Sequence, residues 1–213
     1  MSFDAVAPWY YTLEWIAFGN ALQRCRIACL DQIANPRRVL IVGEGNGRFL
    51  FELLRHHPGI EVDCVDSSEG MSQLAQTRVE ALSDQQSTIR WLRQDIVSWD
   101  PPRSKYDLIV THFLLDCFPK MQLETVVKKL GNAGTENAEW LLADFRVPSD
   151  GKVARMNSRI WLAAMYQFFR LTAHIEANKL IDPTPFFERD GFSLVQRRLS
   201  RQGMLKSELW RRG

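Results

Sequence analysis

Short aliphatic runs alternate along the chain with segments whose apolar residues recur at helical spacing. Arg38 to Val42, Ile60 to Val65, Thr88 to Leu92, Tyr106 to Thr111 and Trp140 to Phe145 read as strands. Several of these are apolar at successive positions, as expected where both faces of a parallel sheet are covered. Between them, Arg48 to His57, Gly70 to Leu82 and Pro119 to Leu130 carry helical patterns, the first stopped by Pro58-Gly59. An opening segment, Phe3 to Ala34, also reads as helical and ends at Asn35-Pro36. Val153 to about Lys179 is a long helical stretch whose apolar residues, such as the neighbours Ile160-Trp161 and Phe168-Phe169, occupy more than one stripe. Phe192 to Leu199, a turn at Arg201-Gln202-Gly203, and Met204 to Trp210 form a terminal β-hairpin.

Alternation of strand and helix predicts an α/β fold, a three-layer sandwich around a mostly parallel sheet. With 213 residues the chain fits a single domain. Its parts are an N-terminal helical cap (1–36), a core (37–150), a lid-like helical segment (151–182) and a C-terminal hairpin region (183–213). No repeat or low-complexity block interrupts this order.

Composition narrows the field only a little. An apolar fraction of 46% and a charged fraction of 24% are those of an ordinary globular protein, and a net charge of +2 is too small to point to nucleic acid. Four cysteines, Cys25, Cys29, Cys64 and Cys117, show no CxxC pair, so no metal site is expected and a reducing, cytoplasmic setting is. The acidic, aromatic N-terminus is not a secretory signal, and no apolar run is long enough to cross a bilayer.

The candidate chemistry lies at three successive strand ends. Gly43-Glu44-Gly45-Asn46-Gly47 stands between the first strand and the first helix, where glycines let the backbone turn sharply and approach a ligand at the helix N-terminus. Dinucleotide enzymes prefer GxGxxG; here the third glycine arrives one residue early, which opposes a NAD-dependent dehydrogenase. Asp66 ends the second strand, where a carboxylate can accept both hydroxyls of a ribose. Asp95-Ile96 follows the third, placing an acceptor for an adenine amino group beside an apolar surface for the ring. Ser67, Asn46 and Thr111 complete the candidate binding set.

These pieces, VLIVGEGNGRFL, VDCVDSS, LRQDIVSW, YDLIVTHFLLDCFP and the terminal hairpin, resemble the class I S-adenosylmethionine-dependent methyltransferases over nearly the whole chain. The resemblance implies a Rossmann-like, seven-stranded sheet whose last strand is antiparallel. It implies contacts to S-adenosylmethionine, and to the product S-adenosylhomocysteine, at Gly43, Gly45, Gly47, Asp66, Asp95 and Ile96. The family often has an acidic residue two places before the first glycine, where this chain has Ile41; Glu44 is the candidate to meet the cofactor's ammonium instead. FDAVAPWYYTLE looks like the start of small-molecule methyltransferases related to quinone biosynthesis, in which a tyrosine folds over the cofactor, and Tyr10 matches that place.

Methyl transfer chiefly needs an aligned nucleophile, with a general base only where the acceptor must lose a proton. His112, just after the fourth strand, is the best-placed base, with Asp116 and Asp144 as second choices. The wide apolar surface of Val153 to Lys179 points to a lid over a small apolar or aromatic acceptor. Two alternatives stand beside this. One is an RNA or protein methyltransferase using Arg197, Arg198, Arg201, Lys206, Arg211 and Arg212, although no NPPY-type sequence follows the fourth strand. The other is a catalytically inactive cofactor-binding subunit.

Overall fold

The computed structural model describes residues 19–82, 86–148 and 180–213. Seven strands form one sheet: β1 (Arg38–Val42), β2 (Glu61–Asp66), β3 (Thr88–Arg93), β4 (Tyr106–His112), β5 (Gly134–Phe145), β6 (Phe192–Ser200) and β7 (Leu205–Arg212). Their order is β3-β2-β1-β4-β5-β7-β6. The first five are mutually parallel, β7 runs antiparallel to β5, and β6 pairs antiparallel with β7. The α/β, Rossmann-like sheet with a terminal hairpin expected from the sequence is therefore present.

Why these residues make strands is plain from their burial. Leu40, Ile41, Leu108, Ile109, Val110, Leu141 and Leu142 are fully buried in the middle of the sheet, covered on both faces. Alternate residues feed two cores. Leu40, Ile109, Trp140 and Trp210 pack with Val126, Val127 and Leu130 of helix α4 (Lys120–Ala133) on one face. Val39, Ile41, Leu108 and Val110 pack with Phe49, Leu50 and Leu53 of α2 (Arg48–His56) on the other. α1 (Ala21–Ile27) joins the second face near the hairpin, and α3 (Glu69–Glu80) follows β2. Ile41 is thus a core residue, and an acid at that position would be buried among aliphatics without water.

Three details differ from the periodicity. The stretch expected to be continuously helical to Ala34 is, where described, α1 followed by a separate 3-10 turn over Leu30–Gln32. β5 begins at Gly134, six residues before the aliphatic run, and its polar opening sits where the register with β4 shifts between Tyr106 and Leu108. A short helix, α5 (Thr184–Arg189), precedes the hairpin and is invisible to periodicity because it makes fewer than two turns. α5 buries Phe187 edge-on to Trp140 (4.4 Å) and stacked on Trp210 (5.0 Å). No helix among the described residues is long and apolar enough to cross a membrane. The lid stretch Val153 to Lys179 and Tyr10 lie outside the described residues.

Candidate functional site

A cleft of about 210 Å³ opens at the carboxyl ends of β1, β2 and β4, where ligands bind in parallel α/β sheets. Its floor is the turn after β1. The Gly43 N–H donates to the Val65 carbonyl (2.8 Å), and the Gly45 N–H donates to Asp66 Oδ2 (3.2 Å), which ties the turn to the end of β2. Gly45 has φ +70° and a Cβ there would meet nothing within 4 Å, so its backbone borders open space. Gly47 differs: at φ +79°, a Cβ would fall 2.7 Å from the Ala75 Cα, so this glycine lets α2 and α3 approach. Asn46 is likewise off the cleft; its carbonyl accepts from Arg78 Nε (2.8 Å), while its own Nδ2 is buried without a partner among the described residues.

Asp66 is half-buried on the cleft wall, with Oδ1 accepting from the Ser68 N–H (2.9 Å). Ser67 lines the same wall, and Ser68 caps α3 through the Met71 N–H (3.2 Å). Asp95 stands two residues beyond β3, where its Oδ1 closes a turn by accepting from the Val97 N–H (2.9 Å); buried Ile96 presents its side chain to the cleft beside it. Asp66, Asp95 and Ile96, far apart in sequence, therefore meet one cavity. Thr111 does not line it: its side chain is fully buried and its hydroxyl accepts from the Trp140 indole (2.9 Å).

Two buried side chains point unsatisfied polar atoms into the region. Glu44 Oε1 accepts from the N–H groups of Phe49 (3.0 Å) and Leu50 (2.9 Å), capping the first turn of α2. Its Oε2 has no partner among the described residues. Burial raises this carboxyl to about 7, against the pull of the Leu50 amide and Arg26. His112, on the cleft wall and 6% exposed, rests edge-on against Phe49 at 4.4 Å, and neither ring nitrogen has a partner among the described residues. Burial, reinforced by the Arg26 charge, holds the imidazole well below its usual range, so it is neutral near pH 7.

Arg26 is the wall residue that sequence reasoning missed. It projects from α1, is 6% exposed, and holds its guanidinium 5.2 Å from the Phe113 ring centre while lining the cleft with Gly43 and Glu44. In the sequence it looks like Arg24, one more base in the last turn of a helix. Only the packing of α1 distinguishes the two.

Asp116 and Asp144 come together, but outside the cleft lining. Both are buried; Asp116 is raised to about 6 by burial, and Asp144 is raised by burial and by the Asp116 charge. The Cys117 thiol donates to Asp116 Oδ1 at 3.6 Å, and Cys117 itself reaches the cleft. The four cysteines are free and buried. Three of the C-terminal cations are ion-paired while their side chains stay largely exposed: Arg197 with Glu208 (2.6 Å), Arg211 with Glu139 (2.5 Å) and Arg198 with Asp31 (3.3 Å).

Comparison with known proteins agrees with this geometry. Residues 39–135, which carry the glycine turn, Asp66 and Asp95, match the family model described as a methyltransferase domain. Among solved structures, the N-methyltransferase NodS of Bradyrhizobium japonicum WM9, in complex with S-adenosylhomocysteine, superposes with a TM-score of 0.60 at 16% identity, over 90% of this chain and 83% of that one. The magnesium protoporphyrin IX methyltransferase of Synechocystis PCC 6803, also with bound S-adenosylhomocysteine, gives 0.64 at 17% identity over 93% and 84%. A putative O-methyltransferase of Nostoc punctiforme gives 0.69 at 17% identity over 97% and 59%. At such identities these likenesses concern the fold. One curated relative, polyamine aminopropyltransferase 2 of Bacillus cereus, is 32% identical over 90 residues, 39% of this chain, and the chain spans 25% of that protein's length.

Proposed function

We propose that this chain, a class I methyltransferase by its fold and by the domain match over 39–135, transfers a methyl group from S-adenosylmethionine to a small apolar or aromatic acceptor. The observation that carries the reading is one cleft gathering Gly43–Gly45, Asp66 and Asp95-Ile96 from three successive strand ends. The residues fit the donor. Gly45 leaves its backbone open to a ligand, the part-exposed Asp66 carboxylate faces the wall where ribose hydroxyls would lie, and Ile96 offers an apolar surface beside Asp95. Glu44 Oε2, buried without a partner among the described residues, would accept from the donor's ammonium. Ser67 lines the same wall, and Tyr10 would close over it.

The bound donor supplies an electrophilic methyl on a sulfonium. What the protein adds is position and a proton acceptor. His112 is neutral, held against Phe49, and its nitrogens are unengaged among the described residues, so it can take the proton of a hydroxyl or amine acceptor. Phe113, Leu114 and Phe118 beside it make that part of the cleft apolar, which favours an aromatic or aliphatic acceptor body. Asp116 and Asp144 share a buried acidic environment and would orient the segment after β4 rather than touch the acceptor. Arg197, Arg198 and Arg211 are each engaged by a carboxylate, which offsets part of the positive charge an RNA substrate would use. The curated relative supports a second reading, transfer of an aminopropyl group.

Calorimetry with S-adenosylhomocysteine tests the donor site. Binding in the micromolar range, weakened about tenfold or more in Asp66→Asn, is expected. Absence of binding at millimolar ligand overturns the reading. Release of labelled methyl from S-adenosylmethionine to a small hydroxy- or amino-aromatic, lost in His112→Ala with cofactor affinity intact, is the expected catalytic result.

A further inference from the structure

We propose that Phe113 is a positioning residue for His112, its left-handed backbone and anchored ring fixing the end of β4 so that the imidazole faces the acceptor end of the cleft. This deepens the reading above, on which it rests, that His112 takes the acceptor's proton. In a regular strand successive side chains point to opposite faces, so neighbours seldom share one cavity wall. Yet His112, Phe113 and Leu114 all line the cleft. The break in alternation falls at Phe113, which has φ +52°. Ser104, Arg201 and Gln202, the other non-glycine residues with positive φ among the described ones, are polar and sit in turns. A bulky aromatic in this region is an outlier, because its Cβ crowds the backbone. Such strain persists only where the surroundings impose it, and it concentrates at functional sites.

The surroundings of Phe113 do impose it. Its N–H donates to the Ala143 carbonyl (2.8 Å), carrying the β4–β5 pairing one residue past His112. Its ring packs on Phe145, with centroids 5.0 Å apart, and joins the cluster of Ala21, Cys25 and Ala143 beside α1. Leu114 enters a different core, that of Ile109 and Trp140. It also presses on the glycine turn, where a Cβ on Gly43 would lie 3.1 Å from the Leu114 Cδ1. The left-handed residue thus sends two neighbours to separate clusters while both border the cleft, and the 3-10 turn Leu115–Cys117 follows. His112 depends on this frame. Among the described residues its ring nitrogens have no partner, so no hydrogen bond from them aims the imidazole. What orients it there is edge-on packing against Phe49 (4.4 Å) and a backbone fixed one residue later, at Phe113.

The test is histidine NMR on the full chain, with calorimetry for S-adenosylhomocysteine beside it. The His112 signal is assigned as the one missing in His112→Ala, and in wild type it titrates well below the usual histidine range. In Phe113→Gly, which frees the backbone and removes the anchor, it should move up by about one pH unit or more as the ring reaches water. Phe113→Tyr, which keeps the ring, should hold it within about 0.3 pH unit of wild type. So should Phe187→Leu, which loosens packing on Trp140 and Trp210 instead and separates position from general stability. Denaturant unfolding reads the strain. Phe113→Gly should have about a fivefold lower unfolding constant than Phe113→Ala, the reverse of the order at an ordinary strand position. If the glycine variant fails to fold, Phe113→Asn, which also tolerates this region, takes its place. A His112 signal unmoved in Phe113→Gly, one moved equally in Phe187→Leu, or an alanine variant as stable as the glycine one overturns the proposal and leaves the methyltransferase reading standing. Failure of wild-type protein to bind S-adenosylhomocysteine at all overturns both.

Discussion

Single residues in the glycine turn have separable duties, and substitution distinguishes them. Gly45→Ala adds a Cβ into open space at φ +70°, so it should cost about 1 kcal/mol of stability while markedly weakening S-adenosylhomocysteine binding. Gly47→Ala combines φ +79° with a Cβ 2.7 Å from the Ala75 Cα, and neither helix backbone can yield cheaply. It should destabilise by about 2 kcal/mol or more in urea unfolding. Glu44 makes a pH-dependent prediction. Its folded-state value of about 7 lies above the ordinary 4.5, so the fold favours the protonated form. Its contribution is fully present below 4.5 and is lost as pH rises through 7. Glu44→Gln keeps an oxygen for the Phe49 and Leu50 amides and cannot ionise. The stability difference between variant and wild type should therefore grow in the variant's favour from pH 4.5 to 7, to on the order of 2–3 kcal/mol. A flat difference across that range would mean that Oε2 is solvated.

At the scale of elements, β7 shows where burial of charge is compensated. Glu208 is fully buried and accepts from Arg197 Nε (2.6 Å), Lys206 Nζ (3.2 Å) and Trp210 Nε1 (3.0 Å), tying β6 to β7. Glu208→Ala leaves Lys206, 4% exposed, with a much weaker counter-charge, Asp182 at 3.7 Å. A loss of about 3–5 kcal/mol in denaturant unfolding is expected. Arg198→Ala breaks only a pair whose side chains are 43% and 58% exposed, and should stay within about 0.5 kcal/mol. The sequence marked the aliphatic strands and the hairpin because their apolar positions repeat locally. It did not mark α5, whose Phe186 and Phe187 become meaningful only against Trp140 and Trp210. Nor did it mark the polar start of β5, where Glu136 and Asn137 stay exposed across the register shift.

For the molecule as a whole, donor-site occupancy and stability are linked. Any ligand that binds only the folded chain stabilises it by mass action, about 2.7 kcal/mol at 100 times Kd. For a chain of 213 residues that corresponds to a rise in Tm of about 5–10 °C with S-adenosylhomocysteine, checked by a thermal scan. The sequence by itself determined the alternation of elements, the turn that carries Gly43 to Gly47 and the two aspartates that close on it. Each of these is written in nearest neighbours, as strand-end position, helical period or glycine spacing. Only the tertiary structure decided which side chains share the cleft. It placed His112 on the wall and Thr111 out of the lining, one residue apart on a pleated strand. It kept Asp116 and Asp144 out of the cleft lining, paired C-terminal arginines with carboxylates, and drew Arg26 from the preceding helix to the glycine turn. Those outcomes depend on packing between segments remote in sequence, and no local pattern records them.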